Sequence, residues 1–343
     1  MALDKEATKV SSKEARKYMR TEVKVERAEY PFSYGQEIQM MGSCFSEHIG
    51  KKLKDLKFTI DLNPFGVLYN PVSIASGIQR MVNQHPFEES DLFFHQGWWH
   101  SFDHHSCFSN PVKEECLRGI NNRLDKSGVS LRNATHLFIT FGTSWVFHQK
   151  SNGRVVSNCH QVPDELFETQ LLRVGDIVRM YTILIQEIAE INPGLNWIFT
   201  VSPVRHWKNG PEGNQLSKST LILAVNELKQ KFDQVGYFPA YEIFMDDLRD
   251  YRFYADDLLH PGTQGIEYTW DKFKAAYITD EAQSIMKAIE SLIRAKNHRP
   301  RNTGSSEHKD FIKKQKQKAT ILANNHPDID LYEFVNYFDQ RTV

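Results

Sequence analysis

The amino-acid sequence predicts an α/β fold in which helices cover both faces of a parallel sheet. Short apolar runs typical of buried strands occur at residues 37–41, 135–141 and 196–201. Longer stretches in which apolar residues recur at helical spacing separate these runs. Strands that alternate with such helices pair in parallel, because each helix carries the chain back to the same end of the sheet.

The first unit is a strand, a tight turn and a helix. The strand at residues 37–41 runs straight into Gly42-Ser43-Cys44, and from there Ile49, Leu53 and Leu56 follow helical spacing. Further helices are predicted near residues 77–83, 114–126, 163–192 and 217–235. A short final strand is expected near residues 237–241, and the chain beyond Ile278 is charged and helical.

Charge and composition exclude several classes of protein. The chain has 343 residues, with 42 Lys and Arg against 43 Asp and Glu, a formal net charge of -1. That balance argues against binding nucleic acid or a membrane surface through bulk positive charge. No apolar run approaches the roughly 18 residues needed to cross a bilayer. Residues 1–20 have no apolar core and four cysteines make no disulfide framework, so we expect a cytoplasmic protein without a secretory signal.

Two segments carry residues suited to catalysis. The Gly42-Ser43-Cys44 turn exposes a side chain at a helix N-terminus, where backbone N–H groups hold an oxyanion and the helix dipole favours a thiolate. The alternative is a tight turn with an inert, buried cysteine. In Asp257-Leu258-Leu259-His260, the carboxylate can return to the imidazole and fix its tautomer. Asp and His at this spacing also occur by chance, so this segment is weak alone.

Together these segments resemble the GSCFA-domain family. Met41-Gly42-Ser43-Cys44-Phe45-Ser46 looks like the motif that names the family, with Ser46 in place of alanine. Other segments that fit are Asn63-Pro64-Phe65-Gly66, Asn158-Cys159-His160-Gln161-Val162-Pro163, Ser202-Pro203-Val204-Arg205-His206 and Ser217-Lys218. The resemblance covers residues 21–275 and leaves a charged extension at 1–20 and a helical extension at 276–343. Residues 1–20 and those beyond about 300 are expected to contribute little to the core.

The resemblance implies the fold and chemistry of the SGNH (GDSL-like) hydrolases. Their fold is a flavodoxin-like three-layer sandwich with a central parallel sheet. Their motifs place a nucleophilic Ser in Gly-Asp-Ser, a Gly and an Asn in the oxyanion hole, and a closing Asp-x-x-His. Carried over, Cys44 takes the nucleophile position, and Asp257 and His260 match the closing motif. The Cys44 amide, Gly66 and Ser144 then form the oxyanion hole, with Ser144 in place of Asn.

The implied function is a hydrolase or acyltransferase that acts on an acyl ester or thioester. Ser43, one residue before Cys44, is the competing nucleophile. The partner is a small-molecule or glycan acyl substrate, and no cofactor is expected. The alternative is a non-catalytic protein of the same fold that binds a carbohydrate or acyl ligand, which the altered nucleophile and oxyanion motifs favour.

Histidines near the predicted ligand face have two interpretations. His95, His100, His104 and His105 indicate either a zinc site or an aromatic-walled substrate pocket. The loop-like surroundings and the lack of an H-E-x-x-H motif favour the pocket, so no metal is predicted. Four further residues flank strand ends or loops and are predicted to contact substrate, with the arginine suited to an anionic group: Asn158, His160, Arg205 and His206.

Overall fold

The computed structural model describes residues 21–300, 302–303 and 305–341. In chain order, the strands are β1 (Glu37–Gly42), β2 (Thr59–Leu62), β3 (Leu92–His95), β4 (Trp98–Ser101), β5 (His136–Phe141), β6 (Trp145–Gln149), β7 (Val155–Val156), β8 (Phe167–Leu171), β9 (Asn196–Val201) and β10 (Val235–Phe238). The longer helices are α1 (Cys44–Asp55), α2 (Pro71–Asn83), α3 (Lys113–Asn133), α4 (Val174–Ile191), α5 (Gly210–Lys231), α6 (Thr263–Tyr277), α7 (Asp280–Asn297), α8 (Ser306–Asn325) and α9 (Tyr332–Asp339). Residues 1–20 lie outside the described residues, and so does the expectation made for them.

Five parallel strands form the central sheet, in the order β2-β1-β5-β9-β10. The three apolar runs read from the sequence are its central strands β1, β5 and β9. All six residues of β5 are buried, as expected for a strand covered on both faces. The predicted α/β class with a parallel sheet between helices is therefore confirmed.

Side chains that alternate along the strands divide the core into two layers. Met41 and Ile139 belong to a cluster that includes side chains of α2, α3, α4 and α5. Their neighbours Met40 and Phe138 belong to a second cluster with α1, α6 and α7. Because successive strand residues point to opposite faces, each strand stabilises helices on both sides of the sheet.

The long helix predicted at residues 163–192 is wrong in its first part. The α-helix covers Val174–Ile191, whereas Asp164–Leu166 is a short 3-10 turn and Phe167–Leu171 is strand β8. Trp145 pairs with Leu171 and Gln149 with Phe167, so β6 and β8 run antiparallel in a small sheet that β7 completes. The pairing with β6 outweighs the local helical spacing of residues 167–171. Periodicity along one segment cannot reveal such pairing with another segment.

Residues beyond 300 contribute buried side chains to the core, contrary to the sequence expectation. Ile312 and Ala319 of α8 are buried in the second cluster, as are Phe334 and Phe338 of α9. Lys57, just after α1, pairs with Glu333 at 2.9 Å. The charged residues of this region cover the outer faces of helices whose inner faces are apolar, so composition alone does not reveal the buried side chains.

Truncating one buried methyl group tests this contribution. Ile312 is 3% exposed and Ile321, on the same helix, is 59% exposed. We expect Ile312→Val to lower the free energy of unfolding by about 1 kcal/mol, because it removes packed apolar volume. The matched Ile321→Val should change it by less than about 0.5 kcal/mol. Equal effects of the two substitutions in urea unfolding would contradict a core role for α8.

Among the helices of the described residues, none is both long and apolar enough to span a bilayer.

Candidate active site

A cavity of about 450 Å³ opens beyond the carboxyl ends of β1 and β5. The strand order reverses between these two strands, because β2 lies on one side of β1 while β5, β9 and β10 follow on the other. In open α/β sheets, ligands bind at such a switch point. Residues from several predicted segments line the cavity, among them Cys44, Thr143, Arg205 and His260.

The turn after β1 requires glycine at position 42. Gly42 has a φ of +129°, and a Cβ there would lie 2.2 Å from the carbonyl oxygen of Thr140. That carbonyl instead accepts a hydrogen bond from the Ser43 N–H at 3.2 Å. The close approach of the turn to β5 therefore fixes where α1 begins and which side chain faces the cavity.

Cys44 occupies the first position of α1. Ser43 is the N-cap residue, and its hydroxyl accepts a bond from the Phe45 N–H at 3.4 Å. Ser43 is only 2% exposed, whereas Cys44 is partly exposed. A first-turn amide such as that of Cys44 has no acceptor in a preceding turn, and the positive end of the helix dipole lies beside the thiol. Cys44 is thus better presented to a substrate than Ser43.

Asp257 and His260 form the paired arrangement expected from their spacing. The Asp257 Oδ2 and His260 Nδ1 atoms are 2.5 Å apart. Asp257 Oδ1 accepts bonds from the N–H groups of Leu259 and His260, both at 2.9 Å. These backbone bonds and the imidazole bond lower the pKa of Asp257 to about 2. The carboxylate is therefore ionised near neutral pH and holds the proton of the ring on Nδ1, leaving Nε2 as the free nitrogen.

Cys44 and His260 line the same cavity, but no hydrogen bond joins them among the described residues. The Cys44 Sγ instead lies 3.9 Å from the hydroxyl of Tyr69. Burial, together with the neighbouring Cys44, raises the pKa of Tyr69, so its hydroxyl keeps its proton. The carbonyl oxygen of Tyr69 also accepts hydrogen bonds from the N–H groups of Gly142 and Thr143, at 2.7 and 3.0 Å. The sequence places Tyr69 in a loop, and no local motif there indicates its contact with Cys44.

The cavity does not include Gly66 or Ser144, the two further residues predicted for the oxyanion hole. The Gly66 N–H donates to the Asn63 carbonyl at 2.8 Å. Ser144 is fully buried, and its amide and hydroxyl both bond to Ser217, at 2.8 and 3.3 Å. Since these groups already have protein partners, the geometry does not support an oxyanion role for either residue.

Three of the four predicted substrate contacts line the cavity: Asn158, Arg205 and His206. The fourth, His160, is 5% exposed and lies in a neighbouring cavity with His100, their ring centroids 4.5 Å apart. Its Nε2 donates to the Ser101 carbonyl at 2.8 Å. Burial lowers the pKa of His160 to about 4, so this ring is neutral near pH 7.

The remaining histidines of the predicted group are dispersed. His105 lines the main cavity, whereas His104 is buried against the rings of Phe65 and Phe87. Gly66 lies under His105, since a Cβ at Gly66 would be 2.3 Å from that of His105. No group of three or more His, Cys, Asp or Glu side chains able to hold a metal occurs among the described residues.

A buried lysine, Lys218, lies beneath the cavity, and its sequence context indicates no role beyond the family resemblance. Lys218 of α5 is fully buried and donates to the carbonyl oxygens of Gly142 and Ser202, at 2.6 and 2.7 Å. Burial lowers its pKa to about 7. Gly142 follows β5 and Ser202 follows β9, so Lys218 joins the two strand ends that form the cavity floor.

Comparison with known protein families agrees with the motif. The model described as the GSCFA family matches residues 37–273, and that described as the GSCFA domain protein, C-terminal domain, matches residues 289–343. The first match alone covers more than half of the 343 residues, so the chain belongs to the GSCFA family. No curated protein matches the chain.

Proposed function

We propose that this member of the GSCFA family is a hydrolase or acyltransferase acting on an acyl ester or thioester through Cys44, His260 and Asp257. The observation that carries the proposal is the Asp257–His260 pair at the edge of the cavity that Cys44 lines. A nucleophile, a base and a group that orients the base are the three parts that acyl transfer needs. Ser43 is the weaker candidate, because it is buried and caps α1.

The reaction runs in two steps. Cys44 Sγ attacks the carbonyl carbon while His260 Nε2 accepts the thiol proton. The bond to the leaving oxygen or sulfur then breaks, and His260 returns the proton to that atom. Water, or an acceptor alcohol or thiol, next attacks the acyl-Cys44 carbonyl while His260 Nε2 accepts its proton. The bond between the acyl carbon and Cys44 Sγ then breaks, the free acid or transferred acyl product leaves, and His260 returns the proton to Sγ. Asp257 stabilises the imidazolium formed in each step.

Two donors near Cys44 are suited to the developing oxyanion. The Cys44 N–H belongs to the first turn of α1, where the helix dipole favours negative charge. The Tyr69 hydroxyl lies 3.9 Å from Cys44 Sγ and stays protonated. A single donor of this kind contributes about 3 kcal/mol to transition-state stabilisation. Tyr69 therefore replaces Gly66 and Ser144 in the proposed oxyanion hole.

The strand order supports the finer fold assignment. Counted along the chain, the five strands of the sheet follow the order 2-1-3-4-5, which is that of flavodoxin-like doubly wound folds. We assign the three-layer SGNH hydrolase fold on this order together with the motif resemblance. The alternative, a non-catalytic carbohydrate- or acyl-binding protein, draws support from the missing hydrogen bond between Cys44 and His260 among the described residues.

Acyl labelling separates these two functions. A short pulse of 4-nitrophenyl acetate near pH 7 should acetylate Cys44, and mass mapping of peptides should find the label there. Burial raises the pKa of the other three cysteines, which disfavours their thiolates: Cys107, Cys116 and Cys159. Cys159 lines the same cavity and serves as the internal control. Equal labelling of Cys44 and Cys159, unaffected by His260→Ala, would favour the binding protein.

A further inference from the structure

A second cavity, of about 530 Å³, adjoins the first on the far side of Arg205 and the Asp257–His260 pair. Arg205 lines both cavities, whereas His260 lines the first and Asp257 the second. A leaving group that departs as acyl-Cys44 forms, and takes its proton from His260, needs room near that histidine. The second cavity meets the first at Arg205, so it offers room to a leaving group that extends past that arginine.

Aromatic side chains form much of the wall of this second cavity. Phe244 is buried and Tyr254 is partly buried, whereas Trp207 is 49% and Tyr251 72% exposed. Large aromatic rings left exposed around a concavity are costly to keep in water and favour stacking on a flat or ring-shaped ligand. The wall of the second cavity is therefore suited to binding a ring-shaped group.

Most of the charged side chains that line the second cavity are paired with another ionisable residue. Asp257 is paired with His260, Asp250 with Arg252 at 3.0 Å, and Arg249 with Asp246 at 2.5 Å. Arg205 differs, because its guanidinium has no carboxylate partner among the described residues. Its Nη2 donates a hydrogen bond to the Met245 Sδ at 3.4 Å, and a thioether sulfur is a weak acceptor.

We propose that the second cavity is the leaving-group subsite and that it takes a ring bearing a phosphate or carboxylate, which Arg205 binds. This inference rests on the proposed function, since it assigns a role in that same reaction. A partly buried guanidinium without a counter-ion binds such an anion through paired N–H groups. The aromatic wall then holds the ring to which the anion is attached.

Binding of phenyl phosphate to the full-length protein tests the subsite without requiring turnover. We expect isothermal titration calorimetry to show binding that Arg205→Gln weakens at least tenfold and Arg205→Lys weakens less. Arg249→Gln is the matched control, because Arg249 lines the same cavity but already has a carboxylate partner. It should change the affinity by less than about twofold. Benzoate in place of phenyl phosphate distinguishes a carboxylate from a phosphate preference.

Several outcomes would overturn the inference. These are no binding of either anion, equal loss in Arg205→Gln and Arg249→Gln, or equal binding of uncharged phenol. Inorganic phosphate that binds as tightly as phenyl phosphate would remove the role of the aromatic wall. The Cys44→Ala protein should bind phenyl phosphate as the wild type does. Binding that persists while acyl labelling of Cys44 fails would therefore refute the proposed reaction, whereas labelling without binding would refute only the subsite.

Discussion

Cys44→Ala is expected to lower kcat/KM for an activated ester by at least about 1000-fold, because it removes the proposed nucleophile at the start of α1. Cys44→Ser should retain measurable activity, since a hydroxyl can be activated by the same histidine. Steady-state hydrolysis of 4-nitrophenyl acetate measures both variants. The residual rate in Cys44→Ala then reports what the cavity and its donors contribute without a nucleophile.

Two matched variants make this result specific. Cys159→Ala removes a thiol from the same cavity and should leave the rate within about twofold. Ser43→Ala removes the N-cap of α1, which costs about 1 kcal/mol of stability, but it leaves the thiol in place. If Ser43→Ala alone abolishes activity while Cys44→Ala is harmless, Ser43 is the nucleophile and the assignment to Cys44 is wrong.

The central strands could be predicted because they are buried on both faces. Four of the six residues of β5 are apolar and all six are buried, so this run stands out in the sequence. Strand β2, Thr59–Leu62, was missed because it is a short edge strand that is partly exposed. The packing of helices α8 and α9 could not be predicted, because their charged residues outnumber the few buried ones, such as Phe334 and Phe338.

The parts of the candidate site that lie within one short segment could be predicted from the sequence. The Gly42 turn places Cys44 at the start of a helix, and the Asp257–His260 pair closes within four residues. The oxyanion donors depend on contacts between distant segments instead. Tyr69 reaches Cys44 from another loop, and Ser144 is bonded to Ser217, which lies 73 residues further along the chain. Spacing within one motif contains no information about either contact.

Lys218→Met is expected to lower the free energy of unfolding by about 3 kcal/mol at pH 9.5. The buried carbonyls of Gly142 and Ser202 lose their donor, and each unsatisfied polar group costs about 1–3 kcal/mol. Methionine keeps most of the apolar stem of lysine, so little of the loss comes from an empty volume. The loss should also loosen the floor of the cavity, because both carbonyls end strands that line it.

The loss of unfolding free energy caused by Lys218→Met should become smaller as the pH falls. The direction of this change follows from the pKa of Lys218. Burial lowers that pKa from 10.5 in the unfolded chain to about 7 in the folded protein. Between these values the unfolded chain binds more protons, so the stability of the wild type rises with pH, by up to about 1.4 kcal/mol per unit. Below pH 7 both states are protonated, and the wild type bears the full cost of a buried charge.

Urea unfolding of wild type and Lys218→Met at pH 7.5 and pH 9.5 tests this directly. The difference in unfolding free energy between the two proteins should grow by about 2 kcal/mol from the lower pH to the higher. Groups that titrate equally in both proteins cancel in this comparison. A difference that stays constant would mean that the two carbonyls stabilise the ammonium enough to keep Lys218 charged throughout. Lys218 would then be a permanent cation under the cavity, bound to the ends of β5 and β9.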